Sequence, residues 1–206
     1  MDKKELQNPA LYTNRELSWL LFNKRVLSEA RDKQLLLFER LKFLSITASN
    51  LDEFFMVRIG SLVDMIHAEY TKKDIAGMSA KEQLDALMEE THKFAALQYS
   101  TYNRMLLPQL RANGLNFVEH HEQLTERQAQ YVDEYFEENV YPVLTPMAVD
   151  SSRPFPLIRN KTLNIGALVA KKGEKDTEIE FATVQVPSVL PRVVRIPAAK
   201  EGDTEV

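Results

Sequence analysis

The stretch SNLDEFFMVRIGSLVDMIHAEY, residues 49–70, decides the fold of the first half of the chain, because it combines a helix start with a long apolar stripe. Ser49 is followed three residues later by Asp52, a spacing typical of the capping boxes that begin helices. Apolar residues then recur at helical spacing, and they are Leu51, Phe55, Ile59, Leu62, Val63 and Ile66. The stretch therefore predicts an amphipathic helix that begins near Ser49 and needs other helices to cover its apolar face.

A helix start at Ser49 would place Asn50 beside free backbone N–H groups and the positive end of the helix dipole. Two interpretations of Asn50 remain open from the residues alone. Asparagine commonly caps helices without binding any ligand. Its carboxamide also pairs a donor with an acceptor, the pattern that matches the amino and ring-nitrogen edge of adenine. Periodicity does not choose between a capping residue and a nucleotide contact.

Three more capping-box spacings predict the starts of further helices. They are Thr13 with Glu16, Ser79 with Glu82, and Thr125 with Gln128. The helix after Thr13 carries Trp19, which we interpret as a core residue because an aromatic ring gains much by burial. The helix after Ser79 is unusually long, with a kink predicted at Pro108 and a left-handed cap at Gly114.

In the second half of the chain, the residue composition changes after Val140, where prolines become frequent. Four prolines between residues 140 and 160 exclude a regular helix and predict an ordered crossing segment. Three strand patterns follow, namely TLNIGALVA at 162–170, EIEFATVQV at 178–186 and PRVVRIP at 191–197. We expect a β-hairpin around Gly173. Because the sequence stops soon after a strand signal, we also expect the chain to be a fragment of a longer protein.

The order of these elements predicts a mainly α protein with two domains. We expect an antiparallel helical N-terminal domain over residues 1–112 and the opening part of an α+β domain over residues 113–206. The 206 residues are enough for two small cores.

Composition excludes several classes of function. The formal net charge of −4 argues against a nucleic-acid binder. No apolar run is long enough to span a bilayer, and the N-terminus does not have the pattern of a secretory signal, so we expect a cytoplasmic protein. The chain contains no cysteine, which agrees with a reducing compartment and excludes thiolate chemistry.

The sequence offers no catalytic residue and no metal ligand. The six glycines are scattered singly, so there is no phosphate-binding loop. The four histidines show no converging partners that ligation or catalysis would need, and they are His67, His92, His120 and His121. A small basic cluster of Arg153, Arg159 and Lys161 could meet a phosphate, although isolated surface charges commonly bind nothing specific.

Three stretches of the chain, taken together, resemble bacterial polyphosphate kinases. They are YTNRELSWLLFNKRVLSEA at 12–30, ERLKFLSITASNLDEFFMVRIGSL at 39–62 and VYPVLTPMAVDSSRPFPLIRNKTLNIGAL at 140–168. They occur in the order and approximate spacing of that family. The resemblance covers about four-fifths of the chain and weakens in the leader and after Ala170.

The resemblance implies that the chain belongs to an enzyme that reversibly transfers the terminal phosphate of ATP to polyphosphate. In that family a helical N-terminal domain helps to hold the adenine end of ATP, and Asn50 matches an ATP-binding position. The head domain that follows is involved in forming a homodimer or higher homo-oligomer, so residues 113–206 would be a partial head domain. Peripheral association with a membrane is compatible with such an enzyme.

The resemblance also implies that catalysis lies outside these residues. The family's phosphorylated histidine, its Mg²⁺ ligands and its phosphate-binding arginines belong to C-terminal domains, so ATP, ADP and polyphosphate would meet the reacting groups there. We therefore expect the chain alone to be inactive. The alternative hypothesis is a non-catalytic helical interaction or dimerisation module that uses the apolar faces of residues 12–62 and binds no nucleotide.

Overall fold

The computed structural model describes residues 5–149, 155–170 and 179–197. Contacts divide the chain into two compact units, Met1–Asn113 and Gly114–Val206. The first unit is helical, and the second combines a helix with a three-stranded antiparallel sheet. The fold class predicted from the sequence is therefore confirmed.

The first unit begins with short 3-10 turns at Glu5–Gln7 and Pro9–Leu11 and then forms helix α1, Arg15–Arg31. The N-cap of α1 is Asn14, whose Oδ1 accepts hydrogen bonds from the backbone N–H groups of Glu16 and Leu17, both at 3.0 Å. The start predicted at Thr13 is therefore wrong by one residue. Asn14 is the N-cap in place of Thr13 because its buried side chain also donates hydrogen bonds to Asp74 and Gln83, outside α1.

A second long helix spans residues 37–67, formed by α2 at Leu37–Phe54, a π turn at Phe55–Ile59 and α3 at Gly60–His67. The helix break predicted near Ser49 is wrong, because α2 passes through that residue without interruption. The predicted apolar stripe is confirmed, with Ile59 and Leu62 buried in the core. Packing on both sides of Ser49 outweighs its local capping signal. Asn50 consequently lies inside a helix, away from any free N–H groups.

A third long helix spans residues 80–112, formed by α4 at Ala80–Thr101, a π turn at Tyr102–Leu106 and α5 at Leu107–Ala112. The predicted capping box of Ser79 and Glu82 is confirmed. Gly114 follows the helix with a positive φ of 83°, the left-handed conformation expected of a glycine cap. The irregularity predicted at Pro108 takes the form of the π turn that precedes it, since proline donates no backbone hydrogen bond.

Two hydrophobic clusters hold the helical unit together. The larger cluster buries Leu20, Phe54, Ile59, Leu62, Ala80 and Leu87. The smaller cluster buries Leu27, Ala30 and Phe94. Because both clusters draw on α1 and α4, and the larger also on residues 54–62, the three long helices form one packed layer of helices around a shared core.

The second unit begins with a 3-10 turn at His121–Gln123 and helix α6, Glu126–Tyr135, which leads through a π turn at Phe136–Val140 into a 3-10 turn at Tyr141–Val143. The capping box predicted at Thr125 and Gln128 is confirmed. The buried Gln128 also donates from Nε2 to the backbone oxygen of Pro197, over a distance of 3.1 Å.

The sheet of the second unit consists of β1 at Pro146–Val149, β2 at Leu163–Val169 and β3 at Glu180–Val186, in the order β1-β3-β2. Strands β2 and β3 pair antiparallel, from Leu163 opposite Val186 to Val169 opposite Glu180. Their predicted connection at Gly173 lies outside the described residues. Strand β1 was not predicted, and no strand forms over the pattern at 191–197.

Within the described ranges, no helix combines the length and the apolar composition that a membrane span requires.

Candidate functional site

A cavity of about 300 Å³ lies between the first two long helices. Helix α1 contributes Trp19 and Phe22, and residues 50–58 contribute the rest of its lining, namely Asn50, Glu53, Phe54, Val57 and Arg58. The first four of these follow one another at helical spacing, so α2 and the π turn that continues it present them on one face. The predicted contact residue Asn50 is therefore half-buried beside a cavity, although it reaches that place from the middle of a helix.

Aromatic rings form much of the cavity wall. The rings of Trp19 and Phe54 stack with their centroids 4.4 Å apart and their planes inclined by 8°. Trp19 packs against the core as predicted, and its half-buried ring also faces the cavity. Phe22 is 48% exposed and presents part of its ring to the cavity. The wall is thus suited to a flat apolar or aromatic ligand.

The polar side of the cavity is a chain of amides. Asn50 donates from Nδ2 to Oδ1 of Asn23, over a distance of 3.1 Å. Asn23 is fully buried and donates in turn from its own Nδ2 to the backbone oxygen of Thr47, also at 3.1 Å. Asn50 is therefore held by a partner in α1, and the oxygen of its side chain makes no hydrogen bond with a described residue.

The charged side of the cavity is formed by Arg58 and Glu53. Arg58 Nε lies 3.8 Å from a carboxylate oxygen of Glu16, and the arginine side chain is about half exposed. Such a long, solvated pair contributes little to stability, so the guanidinium remains available to a ligand. Arg58 also lines a neighbouring cavity of about 270 Å³ that contains Lys72 and Lys73.

The other residues that the sequence offered for chemistry do not converge. His67, His92, His120 and His121 are exposed, and the described part of the chain holds no group of three potential metal ligands. Arg159 and Lys161 line a surface cavity of about 620 Å³ in the second unit, together with Arg192. Arg153, the third member of the predicted basic cluster, lies outside the described residues.

Sequence reasoning missed most of the cavity lining. Asn23, which lies behind the lining and holds Asn50, gave no signal, because a single asparagine inside an amphipathic helix has no distinctive spacing. Glu53 and Val57 did give one, since they lie three and seven residues after Asn50 and hence on the same helical face. The contribution of Phe22 comes from packing between helices, which the spacing within one helix does not report.

Two family models match the chain. The model of the polyphosphate kinase N-terminal domain matches residues 12–118, and that of the polyphosphate kinase middle domain matches residues 127–206.

Curated relatives and a solved structure agree with these matches. The chain is 53% identical to a polyphosphate kinase of Lactiplantibacillus plantarum over 91% of its own length, and 47% identical to one of Halalkalibacterium halodurans over 94%. These alignments cover 26% and 27% of the relatives, so the chain spans about a quarter of their length. The crystal structure of polyphosphate kinase from Porphyromonas gingivalis aligns with a TM-score of 0.72 and 30% identity, covering 93% of this chain and 28% of that one. On these matches, the chain belongs to the polyphosphate kinase family.

Proposed function

We propose that the protein takes part in the reversible transfer of the terminal phosphate of ATP to polyphosphate, and that its helical unit holds the adenine end of ATP. The observation that carries this proposal is the cavity in which the free oxygen of Asn50 meets aromatic walls. Membership of the polyphosphate kinase family supports the reaction, and the cavity supports the role of this unit within it.

The size of the cavity favours the base over the whole nucleotide. Ligand pockets commonly measure roughly 300–1,000 Å³, so a cavity of about 300 Å³ lies at the lower end of that range. A purine ring fits the aromatic wall of Trp19 and Phe22 by stacking, while the edge of the ring meets the amide of Asn50. The ribose and phosphates would then leave the cavity toward its open side.

The cations beside the cavity suit those phosphates. Arg58 borders both this cavity and the neighbouring one that contains Lys72 and Lys73. Guanidinium and ammonium groups bind phosphate oxygens by charge-assisted hydrogen bonds. Arg58 is therefore the residue of this unit that we expect to guide the triphosphate away from the base.

Phosphoryl transfer itself is assigned to residues outside the described ranges. Polyphosphate kinases require a nucleophile, and we infer that Mg²⁺ accompanies ATP in the whole enzyme. The described residues include no group of three or more His, Cys, Asp or Glu side chains that could hold a metal ion. We also propose that the enzyme is cytoplasmic, and the absence of cysteine agrees with such a reducing compartment.

The substitution Asn50→Ala tests the role of the cavity. In the full-length protein that carries this sequence, removing the amide should weaken ATP binding by about 1–2 kcal/mol, the usual loss for a hydrogen-bonding pair. Isothermal titration calorimetry measures this change in Kd. Asn103→Ala serves as the matched control, because Asn103 is an exposed helical asparagine that lines none of these cavities.

Unchanged ATP affinity in a folded Asn50→Ala protein would contradict the proposal. It would favour the alternative, a helical interaction module that uses its exposed apolar residues for a protein partner. Circular dichroism on both variants separates a lost contact from a lost fold.

We further propose that the second unit associates with a second copy of the chain. Strand β2 lies at one edge of the described sheet and exposes large apolar residues, including Ile165 and Leu168. An open edge with exposed apolar side chains favours pairing with another strand or sheet. Sedimentation velocity across a range of protein concentrations should show a dimer or higher oligomer, and a strictly monomeric protein would exclude this proposal.

A further inference from the structure

The amide of Asn50 has its orientation imposed by the residues behind it. The backbone oxygen of Thr47 can only accept a hydrogen bond, so the Asn23 atom that lies 3.1 Å from it must be the amide nitrogen. The remaining atom of that buried amide is Oδ1, which can also only accept. Asn50 must therefore turn its own nitrogen toward Asn23.

This arrangement determines what Asn50 offers to a ligand. One N–H of its nitrogen is used by Asn23, and its oxygen has no partner among the described residues. The ligand consequently meets an acceptor, with one N–H beside it. A flipped amide would instead place the nitrogen toward the cavity and lose the hydrogen bond to Asn23, leaving two amide oxygens facing each other.

We propose that Asn23 is a positioning residue that makes this site selective for a purine with an amino group at position 6. This inference rests on the proposed adenine site and adds to it the residue that sets base selectivity. The oxygen of Asn50 accepts from the 6-amino group, and its free N–H donates to the adjacent ring nitrogen. A purine with a carbonyl at position 6 would place oxygen against oxygen.

The environment of Asn23 makes it suitable for this role. Its side chain is fully buried in α1, and its partner Thr47 is fully buried in α2, so neither can exchange its hydrogen bonds with water. The hydroxyl of Thr47 is fixed as well, since it donates to the backbone oxygen of Leu44 at 2.7 Å and accepts from Gln98 Nε2 at 3.0 Å. A rigid support behind a contact residue is what precise recognition needs.

The test compares ATP with inosine triphosphate, which carries a carbonyl oxygen in place of the 6-amino group. In the full-length protein, wild type should bind ATP about tenfold or more tightly than inosine triphosphate. The variant Asn23→Leu frees Asn50 to rotate, so this ratio of Kd values should fall by about fivefold or more. A residue that only supports the fold would change the stability and leave the ratio unchanged.

The matched control is Gln98→Leu, which removes another hydrogen bond to Thr47 without touching Asn50. Its ratio of Kd values should equal that of wild type. Equal affinity of wild type for both nucleotides would overturn the inference without any variant, and so would an unchanged ratio in Asn23→Leu.

The two proposals fail in different ways. If Asn50→Ala leaves ATP binding unchanged, the adenine site itself is wrong. If Asn50→Ala weakens ATP binding while Asn23→Leu keeps full discrimination, the site stands and only the role of Asn23 is wrong.

Discussion

Asn14 connects the start of α1 to two later parts of the helical unit through one buried side chain. Its Oδ1 accepts from two backbone N–H groups of the first turn. Its Nδ2 donates to a carboxylate oxygen of Asp74 at 2.7 Å and to the side-chain oxygen of Gln83 at 2.8 Å. With 3% of its surface exposed, Asn14 has little access to water that could replace these partners.

Replacing Asn14 by alanine should therefore be costly. Loss of the cap costs about 1 kcal/mol and unpaired buried partners cost about 1–3 kcal/mol more, so we expect Asn14→Ala to lower the free energy of unfolding by about 2–4 kcal/mol. Urea unfolding followed by circular dichroism measures the loss. Thr13→Ala is the control, with an expected change below about 0.5 kcal/mol. If both variants lose similar amounts of unfolding free energy, the assignment of Asn14 as the N-cap is contradicted.

At this scale the sequence predicted residue types better than residue positions. A polar residue at the start of α1 was predicted, yet the choice between Thr13 and Asn14 depends on Asp74 and Gln83, which lie 60 and 69 residues after Asn14 in the sequence. Asn50 was predicted at a helix terminus, whereas it lies within α2 and lines a cavity. Both differences come from tertiary contacts that no short motif contains.

The elements of the helical unit follow their sequence signals wherever local chemistry and packing agree. The Ser79 capping box is the clearest case, since the backbone N–H of Ser79 donates to Glu82 Oε2 at 2.7 Å. The pKa of the Glu82 carboxyl lies below its ordinary value of 4.5 for three reasons. The backbone of Ser79 hydrogen-bonds to it, the side chain of Ser79 does so as well, and the positive charge of Lys73 lies nearby. At Ser49 the same kind of signal is overridden, because core residues continue on both sides.

The lowered pKa of Glu82 predicts a pH-dependent contribution to the stability of α4. A carboxylate with a lowered pKa in the folded state stabilises above its ordinary pKa, and this stabilisation is lost as pH falls through the lowered value. Glu82→Gln should therefore lower the Tm at pH 7 and differ less from wild type at about pH 3. Thermal melts at both pH values measure this.

The control for that prediction is Glu29→Gln, whose carboxylate makes no hydrogen bond with a described residue. The Tm of Glu29→Gln should be close to that of wild type at both pH values. A Glu82→Gln difference that is the same at pH 7 and at about pH 3 would contradict the role of the ionised carboxylate.

The sheet makes an element-scale prediction at Gly166 on β2. A Cβ added there would lie 2.9 Å from Cζ of Phe181, whose ring is also stacked on Phe155. Gly166→Ala should destabilise the second unit by about 1–3 kcal/mol through overpacking, as measured by chemical unfolding. The additional change Phe181→Leu should restore part of the loss.

Gly60→Ala gives the opposite expectation and serves as the control. The nearest atom to an added Cβ at Gly60 is 3.8 Å away, and the residue lies in a helix, so alanine should stabilise by about 0.5–1 kcal/mol. Two results would contradict this difference in space between the two positions. They are stabilisation by Gly166→Ala, and a loss of stability in Gly60→Ala as large as that expected for Gly166→Ala.

At the scale of the whole molecule, the described hydrophobic clusters belong to one of the two units. The residues of both hydrophobic clusters lie in the helical unit. The strand patterns at 162–170 and 178–186 were predicted because each is a short run of residues that favour strands, separated from the other by the turn-like residues around Gly173. Strand β1 was not, because its pairing with β3 brings together residues more than 30 positions apart, and because prolines surround it. The pattern at 191–197 forms no strand, which shows that β-propensity alone does not create a partner.

Because its core is its own, the helical unit should fold without the second unit. A chain ending at Asn113 should keep the helical circular dichroism expected for three long helices and unfold cooperatively on heating. Loss of that signal would contradict the prediction that the helical unit folds on its own core. The same truncated chain carrying Leu87→Ala should unfold at lower temperature, since Leu87 is fully buried and such changes cost about 2–5 kcal/mol.

The π turn at Phe55–Ile59 has a different origin from the other two. The turns at Tyr102–Leu106 and Phe136–Val140 each end two residues before a proline, whereas the first proline after Ile59 is Pro108. The hydrogen bonds of a π turn span one residue more than those of an α turn. This segment is therefore equivalent to one residue inserted into an otherwise regular helix. Deleting one residue there would keep both flanking halves in phase with their neighbours. Such a shortened chain would retain the interior of the bundle but lose the bulge that carries Val57 and Arg58, so the binding surface and the scaffold could evolve separately.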